Sequence, residues 1–348
     1  MALVALNLFV IFLAGYTVRH GYVSHTERAR VAADNVAFAL QHNISDTFAS
    51  ADRALLALID EYQRQLRNGR IDRATLTAFI DRTRSRLPAI GALHITDTQG
   101  VLRYGTGVAP DSRLSLADRP HFARLRDDPA AGLVFSKVIA APATGGPMLA
   151  LVRRIDHAGA FAGMAAVTVP LDVFASQFDA IELGTYGVAA LRDAHFAPLL
   201  RHPRSSAVPA PGQATAPSQL QAMVAQGLSA GNLTATSPVD GLERIVSFAQ
   251  IDNAPFYVTV GLSLEETLGV WRSESATLVA LLVFFMLLSA GAGRVISQGW
   301  KQHHDNMHRL SHQEWLFRTV ADFAYDWEAW IDPQGQLLYC SPSCQRIT

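Results

Sequence analysis
Cysteine is nearly absent from this chain. Its 348 residues include two, Cys340 and Cys344, both at the extreme C-terminus. That excludes a disulfide framework and a cysteine-rich metal site. Lysine is equally scarce: Lys137 and Lys301 are the only two, so positive charge rests almost wholly on arginine. Charge of either sign is sparse, with 29 basic and 30 acidic residues making up 17 % of the chain. A net charge of -1 offers no basic face for nucleic acid. Also missing are a phosphate-cradling glycine loop, a nucleophile elbow and paired metal-ligand motifs. No catalytic centre, cofactor or metal is therefore expected in this chain. What the sequence holds in quantity is apolar side chains, 49 % of the total, which excludes general disorder. The length suits about two domains.

Two uncharged runs are long enough to matter. Residues 1–18 read MALVALNLFVIFLAGYTV, and residues 275–293 read SATLVALLVFFMLLSAGAG. Each approaches the length a helix needs to cross about 30 Å of hydrocarbon. Trp271 and Trp300 bracket the second run, as interfacial aromatics do. The first lacks a basic n-region and a convincing small-residue cleavage site, so a retained anchor is expected, with a cleaved signal peptide as the rival reading. Residues 19–274 then form one segment between two membrane helices.

Within that segment Val36, Leu40, Ile44, Phe48, Leu55, Ile59, Tyr62 and Leu66 recur at helical spacing. They predict one amphipathic helix running directly out of the first span. A second helix is expected over 73–86. The period then changes to strand-like runs at 92–96, 101–104, 133–139, 148–154 and 163–170, followed by a helix at 171–178. The pattern repeats in outline: strands at 187–191 and 198–201, a proline-rich surface loop over 203–218, a helix at 219–228, and strands at 233–237, 244–251 and 255–262. Helices followed by antiparallel strands, twice, give an α+β protein with two small sheet modules in tandem.

Two strings here carry a family likeness: LADRPHFARLRDDPAAGLVFSKVI (116–139) and LVRRIDHAGAFAGMAAVTVPLDVF (151–174). They resemble the double Cache (tandem PAS-like) sensor domains of bacterial transmembrane receptors, especially membrane-bound diguanylate cyclases and sensor histidine kinases. LGTYGVAALRDAHFAPLLRHP (183–203) and FYVTVGLSLEETLGVWR (256–272) resemble the second, membrane-proximal module. The likeness covers about 28–272, with a distal module at about 70–183 and a proximal one at about 184–270. It implies a small-molecule ligand in the distal module, between the sheet and the loop and helix covering it. In the motif Asp118-Arg119-Pro120-His121-Phe122, Arg119 corresponds to the arginine that grips a ligand carboxylate, a task suited to its forked donors. The family's amino-acid pattern needs a tryptophan where this chain has His121 and an aspartate where it has Thr168. Both departures argue against an amino-acid ligand. The remaining candidates are His121, Arg153 and Lys137, the one lysine of the outer segment, with Arg154 expected on the opposite strand face. Together with Asp118 and Arg119 they suggest a small anion such as a carboxylate. The competing structural reading makes Asp118–Arg119 a helix cap and Lys137 a surface residue.

After the second span, His304, His308 and His312 fall on one face of a helix expected over 294–315, read as a signalling helix rather than a metal site. Residues 316–348 resemble the opening of a PAS domain, with a turn at Asp332-Pro333-Gln334-Gly335 between two strands. The chain stops where that fold's next helix should begin, so an incomplete PAS domain is expected, with Cys340 and Cys344 as ordinary thiols. A PAS start belongs in the cytoplasm, which puts 19–274 outside a bacterial inner membrane. The resemblance implies an output domain absent from this chain, a cyclase, phosphodiesterase or kinase; a chemoreceptor-type module is the alternative. The long helix is expected to pair with its counterpart in a homodimer.

Overall fold
The computed structural model describes residues 2–140, 145–203, 215–323, 326, 328–343 and 345, with backbone alone at 2, 304, 305, 308 and 321–323. Most of the proline-rich loop expected over 203–218 lies outside the described residues, as do the side chains of His304 and His308, and Trp327 and Cys344. The chain divides into two units, His20–Arg272 and Met1–Arg19 with Ser273–Thr348.

Helix α1 is a single element, Ala2–Arg67. Inside the larger unit its buried positions include a seam of Ala33, Ala37, Leu40, Ile44, Phe48, Ala51, Leu55, Leu58 and Tyr62, three or four residues apart. Three of these are alanines, which the search for large apolar residues passes over. Helix α2, Arg73–Arg86, begins where Asp72 accepts a hydrogen bond from the Ala74 N–H at 3.0 Å.

The first sheet contains β1 (Leu93–Thr96), β2 (Leu102–Gly105), β3 (Val134–Phe135), β4 (Ile139–Ala140), β5 (Pro147–His157) and β6 (Ala160–Pro170). Its order is β2-β1-β6-β5-β3, with β4 also on β5. Helix α3 (Pro120–Asp127) lies in the chain between β2 and β3, and α4 (Asp172–Asp179) follows β6. The second sheet is built of β7 (Val188–Asp193), β8 (Pro198–His202), β9 (Ala230–Thr236), β10 (Glu243–Gln250) and β11 (Phe256–Ser263), with α5 (Ser218–Ala225) after β8. Its order, β8-β7-β11-β10-β9, repeats that of the first sheet. The α+β reading with two tandem antiparallel modules is what the structure has.

One expected strand is interrupted. The run 133–139 is split into β3 and β4 because the Ser136 side chain enters the ladder. Its hydroxyl accepts from the Ala150 N–H at 2.9 Å and donates to the Lys137 carbonyl at 2.6 Å. A side-chain oxygen thus replaces a backbone carbonyl, and Lys137 and Val138 turn outward, both exposed. At Gly163 (φ 138°) a Cβ would lie 2.1 Å from the Thr96 carbonyl oxygen, so only glycine allows β6 to meet β1 there.

Each sheet is covered on two faces. Leu149, Leu151 and Val167 of the first and Leu191, Val258 and Val260 of the second join the buried seam of α1 in one core. Phe48 of α1 marks the junction of the modules, its ring centroid 5.3–5.8 Å from those of Phe135, Phe174 and Phe256. The opposite faces carry two smaller cores, one under α3 and one under α5.

In the other unit, α1 supplies its apolar N-terminal end and α6 (Leu264–Phe323) its apolar middle. Both helices are long and apolar enough to cross a membrane, and their apolar stretches are wholly unburied. Asn7 Nδ2 donates to Ser289 Oγ at 2.8 Å, a polar tie of the kind that joins helices in lipid. Strands β12 (Ala329–Ile331) and β13 (Leu337–Cys340) form the expected hairpin, with Asp332 accepting from the Gln334 and Gln336 N–H groups. His312 stacks on Trp315 at 5.9 Å.

Candidate ligand sites of the two modules
Strand parity decides what faces the cover of the first sheet. Ala150 and Val152 of β5, with Met164 and Ala166 of β6, pack against Phe122 and Leu125 of α3 and against Val134. Phe122 meets Phe161 edge-on at 5.6 Å. Arg154 of β5 shares this face. Its Nη1 donates to the Leu125 and Arg126 carbonyls at 2.7 and 2.8 Å, its Nε to Asp156, and its guanidinium lies 4.9 Å over the Phe161 ring. Arg154 therefore staples the C-terminal end of α3 to the sheet.

Arg153 points the other way, as adjacent strand residues must. Its Nη2 donates to the Asp52 carboxylate of α1 at 2.8 Å, and its Nε binds the other carboxylate oxygen. That hydrogen bond holds the Arg153 pKa above the ordinary arginine value. The expected ligand contact is instead a tie between sheet and backing helix, because odd-numbered positions of β5 face α1. Lys137 is exposed in the break between β3 and β4, away from the compact pocket expected of it. Asp118 and Arg119 are both exposed. Arg119 occupies the N-cap position of α3 without a side-chain capping bond, so the helix-cap reading does not account for it. His121, half-buried, follows. Burial first, and the Arg119 charge second, hold its pKa below 6.5. Thr168, where the resemblance leads one to expect an aspartate, accepts from the Ala92 N–H at 2.8 Å and so serves the sheet.

The second module brings together residues that the sequence reading passed over. Arg192 of β7, Arg201 of β8 and Arg244 of β10 line one cavity of about 40 Å³, with Thr215, Thr259 and Gly261. Arg192 is 6 % exposed. Its Nε donates to Thr259 Oγ1 at 3.0 Å, and its Nη1 to the Phe196 carbonyl and to Thr215 Oγ1 at 3.0 and 2.7 Å. Burial pulls its pKa down to about 10, with the Arg201 charge adding to the effect. Arg244 grips Asp240 with both terminal nitrogens, at 2.7 and 2.8 Å. Its stem lies over Gly261, where a Cβ would stand 3.0 Å from Arg244 Cδ. Arg201 reaches Asp240 only at 3.5 Å, and its buried Nε has no hydrogen-bond partner among the described residues. The signal available in the sequence was parity: Arg192 and Arg244 interrupt apolar strands at positions whose neighbours two residues away, Ala190 and Val246, are inward-facing.

This cavity is joined to α6 by a short series of contacts. Arg244 Nε donates to the Tyr186 carbonyl at 2.9 Å. The N–H groups of Thr185 and Tyr186 donate to the Glu266 carboxylate, in the first turn of α6, at 3.0 and 3.3 Å. Those backbone donors hold the Glu266 pKa below the usual carboxylate range. β11 also runs into α6 without a loop, Ser263 being followed by Leu264.

No family model matches the chain, and no curated protein matches it. Solved structures do, among them extracellular sensory domains. The extracellular domain of rpHK1S-Z16, a protein assigned as a histidine kinase, aligns with TM-score 0.61 and 20 % identity over 70 % of this chain and 98 % of its own. The sensory domain of the Campylobacter jejuni chemoreceptor Tlp3, with isoleucine bound, aligns with TM-score 0.53 and 11 % identity over 71 % and 98 %. The ligand-binding domain of Mlp24 with asparagine gives 0.53 and 15 % over 73 % and 99 %. The chain thus has the fold of extracellular ligand-binding sensory domains, over nearly the full length of each.

Proposed function
We propose that the chain is the sensory, membrane-anchored part of a bacterial receptor. In this reading residues 1–18 and 275–293 span the inner membrane. Residues 19–274 form an extracytoplasmic double Cache domain, distal at about 70–183 and proximal at about 184–270. Residues 294–315 are a signalling helix, and 316–348 open a cytoplasmic PAS domain. One observation carries it. A sheet of one strand order occurs twice on a single helix, between two helices whose apolar stretches are unburied. Such stretches have no partner in water and fit hydrocarbon.

The ligand class that suits this chain is a small anion such as a carboxylate. In the distal module Arg119, whose guanidinium has no partner among the described residues, is the contact we favour, with His121 beside it and Asp118 preceding it; the exposed Lys137 is a peripheral cation. Ligand binding can shift the membrane helices only by favouring one of two states. The uninterrupted β11–α6 connection is the shortest route for that bias. Exposed Val31, Phe38 and Leu56 on α1 support pairing of two copies. The output we favour is that of the membrane-bound cyclases and kinases the sequence resembles, with a chemoreceptor-type module as the second reading, supported by the likeness to Tlp3.

Membrane topology tests the proposal. An Arg113→Cys variant should react with a membrane-impermeant maleimide in intact cells, while Cys340 should react only after permeabilisation. The reverse order of labelling would refute the sensory reading.

A further inference from the structure
We infer that the arginine cavity of the second module is itself a binding site for a compact oxyanion, a carboxylate or an inorganic tetrahedral anion. The sensory reading gives this site its purpose, but the inference stands on the composition of the cavity. Three guanidinium groups converge from β7, β8 and β10, and arginine does not escape charge repulsion by deprotonating near neutral pH. Asp240 is the carboxylate that meets them, and it is committed to Arg244 through two short bonds. Asp193 lies nearby but accepts from the His195 and Ala197 N–H groups at 2.9 and 2.8 Å. Positive charge therefore exceeds negative charge inside a partly enclosed space.

Donors are left over as well. Arg201 Nε is buried and unpartnered among the described residues, and Arg192 Nη2 has no described hydrogen bond. A buried donor without an acceptor is costly, more so when it is charged. An oxyanion supplies several acceptor lone pairs at once and matches the guanidinium fork. The size of the cavity selects the ligand: about 40 Å³ holds roughly three water molecules. That suits a carboxylate or a sulfate-sized ion. Arg192 has a structural share, since it also holds the Phe196 carbonyl and Thr215. Arg201 does not, having only the long contact to Asp240. It is the residue to change.

The test uses the full 348-residue chain in lipid nanodiscs, titrated with acetate, malonate, sulfate and phosphate at constant ionic strength, with heat of binding and melting temperature read together. At least one anion should bind saturably, and the pattern across the four separates a carboxylate site from a site for tetrahedral ions. Arg201→Gln should weaken that binding about tenfold or more, the loss of one or two charge-assisted bonds, while Arg86→Ala, at the exposed end of α2, leaves it unchanged. If Arg201→Gln fails to fold, Arg201→Lys keeps the charge, loses the fork, and should still bind several-fold more weakly. Saturable binding by none of the four anions overturns the inference, as does wild-type affinity in the folded Arg201 variant. Loss of binding in Arg119→Ala alone overturns it too, but leaves the sensory reading intact with its ligand in the first module. The labelling order of Cys340 fails or succeeds independently of all these outcomes.

Discussion
The two modules share a strand order and a backing helix, yet they use the face turned away from that helix in opposite ways. In the first, the face is closed: Phe122, Leu125 and Met164 fill it, and Arg154 spends its Nε and Nη1 donors on Asp156 and on the end of α3. In the second, three arginines and two threonines leave a cavity with donors to spare. One topology thus gives a packed core or a polar site according to which residues occupy alternate strand positions, so the fold alone does not say which module holds a ligand site. The helix-facing sides differ as well. Asp52 of α1 meets a cation, Arg153, on β5, whereas Asp34 meets neutral partners, Ser247 of β10 at 2.6 Å and Asn232 of β9 at 2.9 Å.

The largest expected effect tests whether the first face is closed. Phe122 is fully buried, so Phe122→Ala should cost about 3–5 kcal/mol. Arg201→Gln in the second module should cost little or even stabilise, because it removes one of three like charges. Denaturant titration of the detergent-solubilised chain measures both. A cost below about 1 kcal/mol for Phe122→Ala would mean that the first face also holds space, and the contrast would collapse.

The helix-facing contrast is smaller. Asp52→Asn strands a half-buried Arg153 and should cost about 2 kcal/mol, the value of a hydrogen bond to a charged group. Asp34→Asn keeps an acceptor for neutral donors and should cost about 1 kcal/mol or less. A double-mutant cycle with Arg153→Met isolates the pair. Equal costs at both aspartates would show that the helix binds the two sheets alike.

Most of the architecture was legible because it rests on periodicity. The α1 seam, α2 and the hairpin of β5 and β6 follow from spacing, and spacing is local. The interruption at Ser136 was not legible, since a hydroxyl that stands in for a carbonyl leaves the strand's composition unchanged. The opposed faces of Arg153 and Arg154 were legible, but which face met α1 was not, because parity gives relative direction only. The arginine cavity was the least visible. Arg192, Arg201 and Arg244 come together through the pairing of β8 with β7, β7 with β11, and β11 with β10, and the family likeness drew attention to the other module.

The smallest effect can also tell the two modules apart. Burial and, to a lesser degree, the Arg119 charge depress the His121 pKa below 6.5, so the folded protein favours the neutral ring. Its contribution to stability is then complete above the unfolded value of about 6.5 and declines as pH falls through the folded pKa, because the unfolded state takes up the proton first. Acidification from about pH 7 to about pH 5 should therefore lower stability, and His121→Gln should flatten that slope. Arg119→Ala removes the lesser cause, so the ring's NMR titration should move upward without reaching the ordinary value. A carboxylate seated on Arg119 would cancel the same charge and produce the same upward movement in the wild-type chain. An anion held only in the arginine cavity of the second module would leave the His121 titration where it was. Saturable anion binding accompanied by an unmoved His121 would thus assign binding to the second module, whereas a shift that tracks occupancy would return it to the first.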